Sequence, residues 1–394
     1  MGNSDLAIRD QRSTPDSKTA GRRRLAALGA AAGVALVAGV SVGAGAGDDG
    51  HLAPGAGGAA AQAALERDQE AALREVDRLS LRQQVGQVTV SSFPGTAMPE
   101  YIRRRLRARE TSGVILFGAN GGSPTVWRRL TSSLQRAAGG RALVMVDQEG
   151  GDIRTVSYAG PTASQPFQGP PRSVRRSAAA AGRRLRAAGI QLNLAPVADV
   201  PRAGSVMAGR SFAGDEHAIA ARTKASIRGL RDARIAATVK HFPGLGGATL
   251  NTDDAPATVR VPIDRDLVPF RAAIGDGVPL VMLSHGSYPG LDARRIASQS
   301  RPIVTGLLRQ KLGFEGVIVT DSLEAEAVLA RSGVAAAAAR SIQAGADLIL
   351  MTGSASWNEV FPRLLAAARR DEAFRRLIRE SAARVLALKR ELLR

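Results

Sequence analysis

The sequence predicts an α/β chain whose single catalytic domain is a (β/α)8 TIM barrel, preceded by a signal or anchor segment. Three observations predict it. Short uninterrupted apolar runs recur eight times between residues 85 and 351. Amphipathic Arg/Ala-rich windows of helical length lie between them. Polar residues collect at the C-terminal ends of the runs, which is where barrel enzymes place their chemistry.

The elements follow in chain order. Residues 1–24 are polar and end in Arg22-Arg23-Arg24. Residues 25–47 then carry no charge, and Ala44-Gly45-Ala46 offers a small-x-small cleavage site. A cationic cluster before an apolar run is the export pattern. The run is also long enough to span a bilayer, so it reads as a signal peptide or a membrane anchor. Residues 48–62 form a Gly/Pro/Ala linker, and residues 63–394 form the barrel domain. The candidate strands are Val85–Val90, Gly113–Phe117, Ala142–Val146, Gln191–Ala195, Ala236–Val239, Leu280–Leu283, Gly316–Thr320 and Asp347–Met351. Helical windows between them include Ser173–Ala188, His217–Ala233, Arg301–Leu312 and Val334–Ala344. Strands that are apolar without alternation indicate a parallel sheet covered on both faces. A doubly wound open sheet is the alternative, but no GxGxxG follows the first strand.

Composition removes several function classes. The net charge is +19 over 394 residues, and Arg carries nearly all of it. The arginines are scattered along helices, and aromatic residues are only 4% of the chain. That argues against base stacking and a nucleic-acid partner. It favours a cationic surface facing an anionic envelope polymer or a membrane face, with residues 25–47 as the means of membrane association. With no cysteine, thiolate metal sites, disulfides and cysteine nucleophiles are excluded. No HExxH spacing or dinucleotide loop is present, so neither a metal nor a cofactor is expected.

The strand ends carry the functional signal. They supply Asp147-Gln148-Glu149, Asp199, Lys240-His241, Ser284-His285 and Thr320-Asp321. In a barrel these ends converge on one pocket. Of the four histidines, only His241 and His285 sit at strand ends, and both are expected to contact substrate. Several carboxylates beside a cationic pair suit a polyhydroxylated carbohydrate ligand. Glycoside cleavage needs one carboxylate at the anomeric carbon and a second group to protonate the leaving oxygen. Asp321 is the nucleophile candidate.

Specific segments sharpen this. Gly113–Phe117 reads GVILF, Val146–Gly151 reads VDQEGG, and Asn193–Val200 reads NLAPVADV. Gly209–Phe212 reads GRSF, Lys240–Gly244 reads KHFPG, and Ala344–Asp347 reads AGAD. In this order, over about residues 80 to 390, they resemble glycoside hydrolase family 3, in the branch of single-domain β-N-acetylhexosaminidases. The resemblance implies a retaining reaction through a glycosyl-enzyme on Asp321. It implies that Asp147, Arg210, Lys240 and His241 hold the innermost sugar. The family's second sugar-contacting Arg has its counterpart in Arg154, which lies one position early.

The loop after KHFPG departs from the pattern. The branch carries an Asp-x-His pair there, and that His is the acid/base. Counted from Lys240 without gaps, those positions are Asn251 and Asp253. Either Asp253, or neighbouring Asp254, serves as a carboxylic acid, or the protein is a glycan-binding pseudoenzyme with a solvated Asx turn at this point. An unrelated barrel aldolase using Lys240 as a Schiff base is a further rival.

Overall fold

The computed structural model describes residues 70–393. The segments 1–24, 25–47 and 48–62 lie outside the described residues. Among the described residues, no helix is long and apolar enough to cross a membrane.

Eight parallel strands form the sheet: β1 Thr89–Ser91, β2 Gly113–Ile115, β3 Leu143–Val146, β4 Leu192–Asn193, β5 Ala236–Phe242, β6 Leu280–Leu283, β7 Val317–Thr320 and β8 Ile349–Leu350. Their spatial order is β7-β6-β5-β4-β3-β2-β1-β8. A bridge between Val319 and Leu348 joins the last strand back to the seventh. There the Thr320 N–H donates to the Leu348 carbonyl at 3.0 Å. The sheet is thereby a barrel.

Alternation along each strand builds two cores. Ile115, Leu143, Met145, Met282 and Val319 fill the interior. Val114, Val144, Val146, Val281 and Ile318 face outward and pack against helices. Both sets are buried, which is why the sequence shows unbroken apolar runs.

Helices α1 Leu81–Gln87, α2 Glu100–Arg107, α3 Pro124–Ala138, α4 Pro171–Ala187, α5 Glu216–Asp232, α6 Asp264–Gly275, α7 Val334–Ala344, α8 Ser356–Arg370 and α9 Glu372–Leu392 surround it. A π-type helix, Pro302–Lys311, fills the remaining crossover. Local signals set their bounds. Ser123 caps α3 through the Val126 N–H, and Gly139 ends it with a left-handed φ of 59°. Asp215 caps α5 through the Ala218 N–H at 2.8 Å.

The expected first strand, Val85–Val90, is corrected by one such signal. Ser80 and Gln83 form a reciprocal capping box that starts α1, so Val85 is helical and β1 begins at Thr89. The apolar run there was shared between a helix and a strand.

At the lower end, α9 packs Val385, Leu388 and Leu392 against the interior cluster. Asp347, fully buried, accepts from Arg309, from Arg384 at 3.0 Å and from the Ile318 N–H at 2.8 Å. One carboxylate thus ties β7, α9 and the π-type helix together. Asp347→Ala would leave the Arg309 and Arg384 guanidinium groups without their carboxylate partner. We expect a loss of about 3–5 kcal/mol in urea denaturation; a loss below about 1 kcal/mol would contradict this role.

Candidate active site

The upper strand ends open into a cavity of about 770 Å³. After β3 the chain doubles back as a short ribbon, Gln148–Gly150 against Ile153–Arg154. Period-two alternation sends Gln148 to one side and Asp147 and Glu149 to the other. The Gln148 amide donates to the Val156 and Gly160 carbonyls at 3.1 and 2.7 Å, which fixes the ribbon. Asp147 and Glu149 therefore project into the cavity.

Lys240, near the end of β5, meets both. Its ammonium lies 2.7 Å from Asp147 Oδ1 and 2.8 Å from Glu149 Oε1. Arg210, from the loop after β4, grips Glu149 with two N–H donors at 2.7 and 3.1 Å. Burial opposes the charge on Glu149, but Lys240 and Arg210 outweigh it and hold its pKa down at about 2. Burial likewise opposes the charge on Lys240. Asp147 and Glu149 more than compensate and raise its pKa. Glu149, Lys240 and Arg210 stay charged, and with Asp147 they fix one another's positions.

His241 follows directly; the peptide bond between it and Lys240 is cis, and both side chains line the cavity. Its Nδ1 lies 2.7 Å from Asp199 Oδ2. A carboxylate only accepts, so Nδ1 carries the proton. The other Asp199 oxygen accepts from the Leu245 N–H at 2.6 Å and the His241 N–H at 3.3 Å. The ring is thereby held with Nε2 toward Arg210 at 3.5 Å and Asp321 at 3.8 Å.

Asp321 leaves the end of β7 with its N–H on the Leu283 carbonyl at 3.2 Å. The Ser322 N–H donates to its Oδ1 at 2.8 Å. Burial opposes its charge, but His241, His285 and Lys240 prevail and its pKa is lowered. Asp253 behaves oppositely. It is exposed at the rim, yet it lines the same cavity. Loss of water around its carboxyl, followed by the Asp321 charge, raises its pKa. Its loop is an Asx turn in which the Asp253 N–H donates to Asn251 Oδ1 at 3.3 Å. That loop is tied down, since the Thr252 and Asp253 carbonyls accept from the Ala327 and Glu326 N–H groups, each at 3.1 Å.

The structure therefore brings Asp147, Arg154, Arg210, Lys240, His241, Asp253 and Asp321 to one cavity. Asp254 is exposed and does not line it. His285, expected at the substrate, is corrected. It is fully buried behind the wall, with Nδ1 2.8 Å from Ser298 Oγ and Nε2 2.9 Å from the Ser322 carbonyl. Both ring nitrogens are used within the protein, and burial lowers its pKa. It supports the backbone beside Asp321. Two functional groups had no assigned role in the sequence reading. Glu149 shares its tripeptide with Asp147, and Asp199 stood among the strand-end carboxylates; that position was their only signal. Glu324 was not singled out. It accepts from Ser322 Oγ at 3.0 Å and the Thr352 N–H at 2.9 Å, linking the segment after β7 to the end of β8.

Comparisons with known proteins identify the family and the fold. Residues 80–388 match the model of the glycosyl hydrolase family 3 N terminal domain. A β-hexosaminidase of Xanthomonas oryzae pv. oryzae is 32% identical over 271 residues, 65% of this chain and 81% of that one. An uncharacterized secreted glycosyl hydrolase of Arthroderma benhamiae is 33% identical, over 80% of this chain and 94% of its own length. The crystal structure of a β-N-acetylhexosaminidase from Beutenbergia cavernae superposes with a TM-score of 0.74 at 32% identity, covering 79% of this chain and 98% of that one. A family 3 β-N-acetylglucosaminidase from Paenibacillus gives a TM-score of 0.75 at 34% identity; 79% of this chain is covered, but only 62% of that longer one. The barrel, its strand-end charges and these relatives place the chain in glycoside hydrolase family 3.

Proposed function

We propose that this chain is a retaining glycosidase that removes terminal β-N-acetylglucosamine or a related β-linked sugar, with cell-wall glycan as the substrate class. The observation that carries the reading is the pair Asp321 and Asp253. Two carboxyl groups share one cavity, and their surroundings shift their pKa values in opposite directions. Such a pair assigns nucleophile and acid.

Ionised Asp321 attacks the anomeric carbon as the bond to the leaving oxygen breaks. Protonated Asp253 gives its proton to that oxygen. Asp253, now a carboxylate, takes a proton from water, which attacks the anomeric carbon and releases Asp321. Asp147, Lys240, Arg210 and His241 offer acceptors and donors to the sugar hydroxyls. Relatives named β-hexosaminidase support the amino-sugar substrate. The uncharged stretch at 25–47 behind three arginines supports export, and the +19 charge suits an anionic envelope.

Asp321→Asn should reduce kcat/KM on an aryl β-N-acetylglucosaminide by about 10³-fold or more. Equal activity of variant and wild type would remove Asp321 from the mechanism. N-acetylglucosamine binding by the wild type, without turnover of any aryl glycoside, would make the chain a binding protein.

Asp253→Ala should slow glycosides with poor leaving groups by about 10²–10⁴-fold. Added azide should restore turnover on an activated aryl glycoside and yield the β-glycosyl azide. Azide replaces water at the anomeric carbon and needs no base. Absence of rescue would point to another acid/base.

The pH profile follows from the two shifts. Activity should fall on the acid side as Asp321 takes up a proton, and on the alkaline side as Asp253 loses one. In Asp253→Ala the alkaline limb should disappear. An unchanged alkaline limb in that variant would assign it to a different group.

A further inference from the structure

A second cluster of charges lies at the opposite end of the barrel, away from the cavity above. Lys389 on α9 is 94% buried by its relative exposure of 6%. Its ammonium donates to Gln87 Oε1 at 2.7 Å, the only partner it has among the described residues. An ammonium carries three donors, so two remain. Beside it is a small cavity of about 20 Å³, lined by Lys389, Arg109, Arg141, Gln87, Thr111 and Glu75 among others. Roughly 10–15 Å³ of such space holds one water-sized particle. Arg141 is exposed, so the cavity has a route to solvent.

The charges around this space do not balance. Glu75 is the only carboxylate lining it, and it is already paired with Arg390 at 2.7 Å. No ion pair involves Arg109 or Arg141 among the described residues. Three basic residues therefore line a space sized for one small particle.

We propose that Lys389, Arg109 and Arg141 form a binding site for a small inorganic anion, chloride in size, that locks α9 onto α1 at the base of the barrel. Chloride is a single centre and needs only donors, which this site supplies in excess. A bulky organic anion does not fit the space.

The protonation of Lys389 supports the site. Burial lowers its pKa first, Arg141 and Arg109 lower it further, Glu75 acts the other way, and the result is about 7. An unfolded lysine has the ordinary value of 10.5. The unfolded chain thus holds more protons between these values, and this lysine's contribution to stability declines as pH falls from 10.5 to 7. Below 7 the amine is charged in the folded protein too. An anion offsets that charge, so its stabilising effect is greatest on the acid side.

Two measurements on the full chain test the proposal. Melting temperature is read at constant ionic strength while chloride replaces gluconate, at pH 6 and pH 9, for wild type, Lys389→Met and Arg141→Gln. We expect a saturable rise of about 2 °C or more in wild type at pH 6, a smaller one at pH 9, and its loss in both variants. Crystals soaked in bromide should show an anomalous peak in contact with Lys389 Nζ. Equal rises in all three proteins would mean anions on the Arg-rich surface only, and would overturn the proposal. So would the lack of a peak. If Lys389→Met fails to fold, Arg141→Gln and the bromide peak decide alone.

Discussion

Four acidic and basic side chains share the floor of the upper cavity, and the geometry of the candidate site depends on their pairing. Lys240 and Arg210 both reach Glu149, and Lys240 also reaches Asp147. Two cations against two anions leave no uncompensated charge. Without such pairing, burial of any one of them would cost several kcal/mol. The barrel imposes this arrangement, because parallel strands deliver every C-terminal end to the same mouth. Charges that arrive there must either compensate one another or lose their ionisation.

The same mouth holds a second pair treated in the opposite way. Asp321 has three cationic or imidazole neighbours, and these outweigh its burial. Asp253 has lost water without gaining a comparable partner and has Asp321 facing it. Two identical side chains thereby acquire different proton affinities from position alone. Asp199 acts one step further out. By holding His241 through Nδ1 it leaves Nε2 as the ring nitrogen that Asp321 meets.

Much of the barrel was legible in the sequence because its strands are short, apolar and buried on both sides. Leu280–Leu283 and Val334–Ala344 were located to the residue. The first strand was not, since Val85 and Val88 are equally apolar in a helix and only the Ser80–Gln83 capping box distinguishes the two. For the site, strand-end position identified which residues gather, but not which face they present. His241 and His285 looked alike in sequence. One is bound to Asp199 at the cavity, while the other is absorbed between Ser298 and Ser322. Asp253 and Asp254 are adjacent, and only the turn made by Asn251 separates them. Such choices depend on hydrogen-bond partners distant in the chain, which periodicity does not encode.

The backbone bonds from Ala327 and Glu326 to Thr252 and Asp253 join the rim loop to the segment that follows Asp321. The two carboxyl groups thus ride on one continuous piece of hydrogen-bonded backbone, although they lie 68 positions apart in the chain. A shift of either segment carries the other with it. Exchange of this loop for one bearing a histidine is therefore a change in two strands' endings at once: a transplanted loop would need to reproduce the seats at 326 and 327, not merely its own sequence.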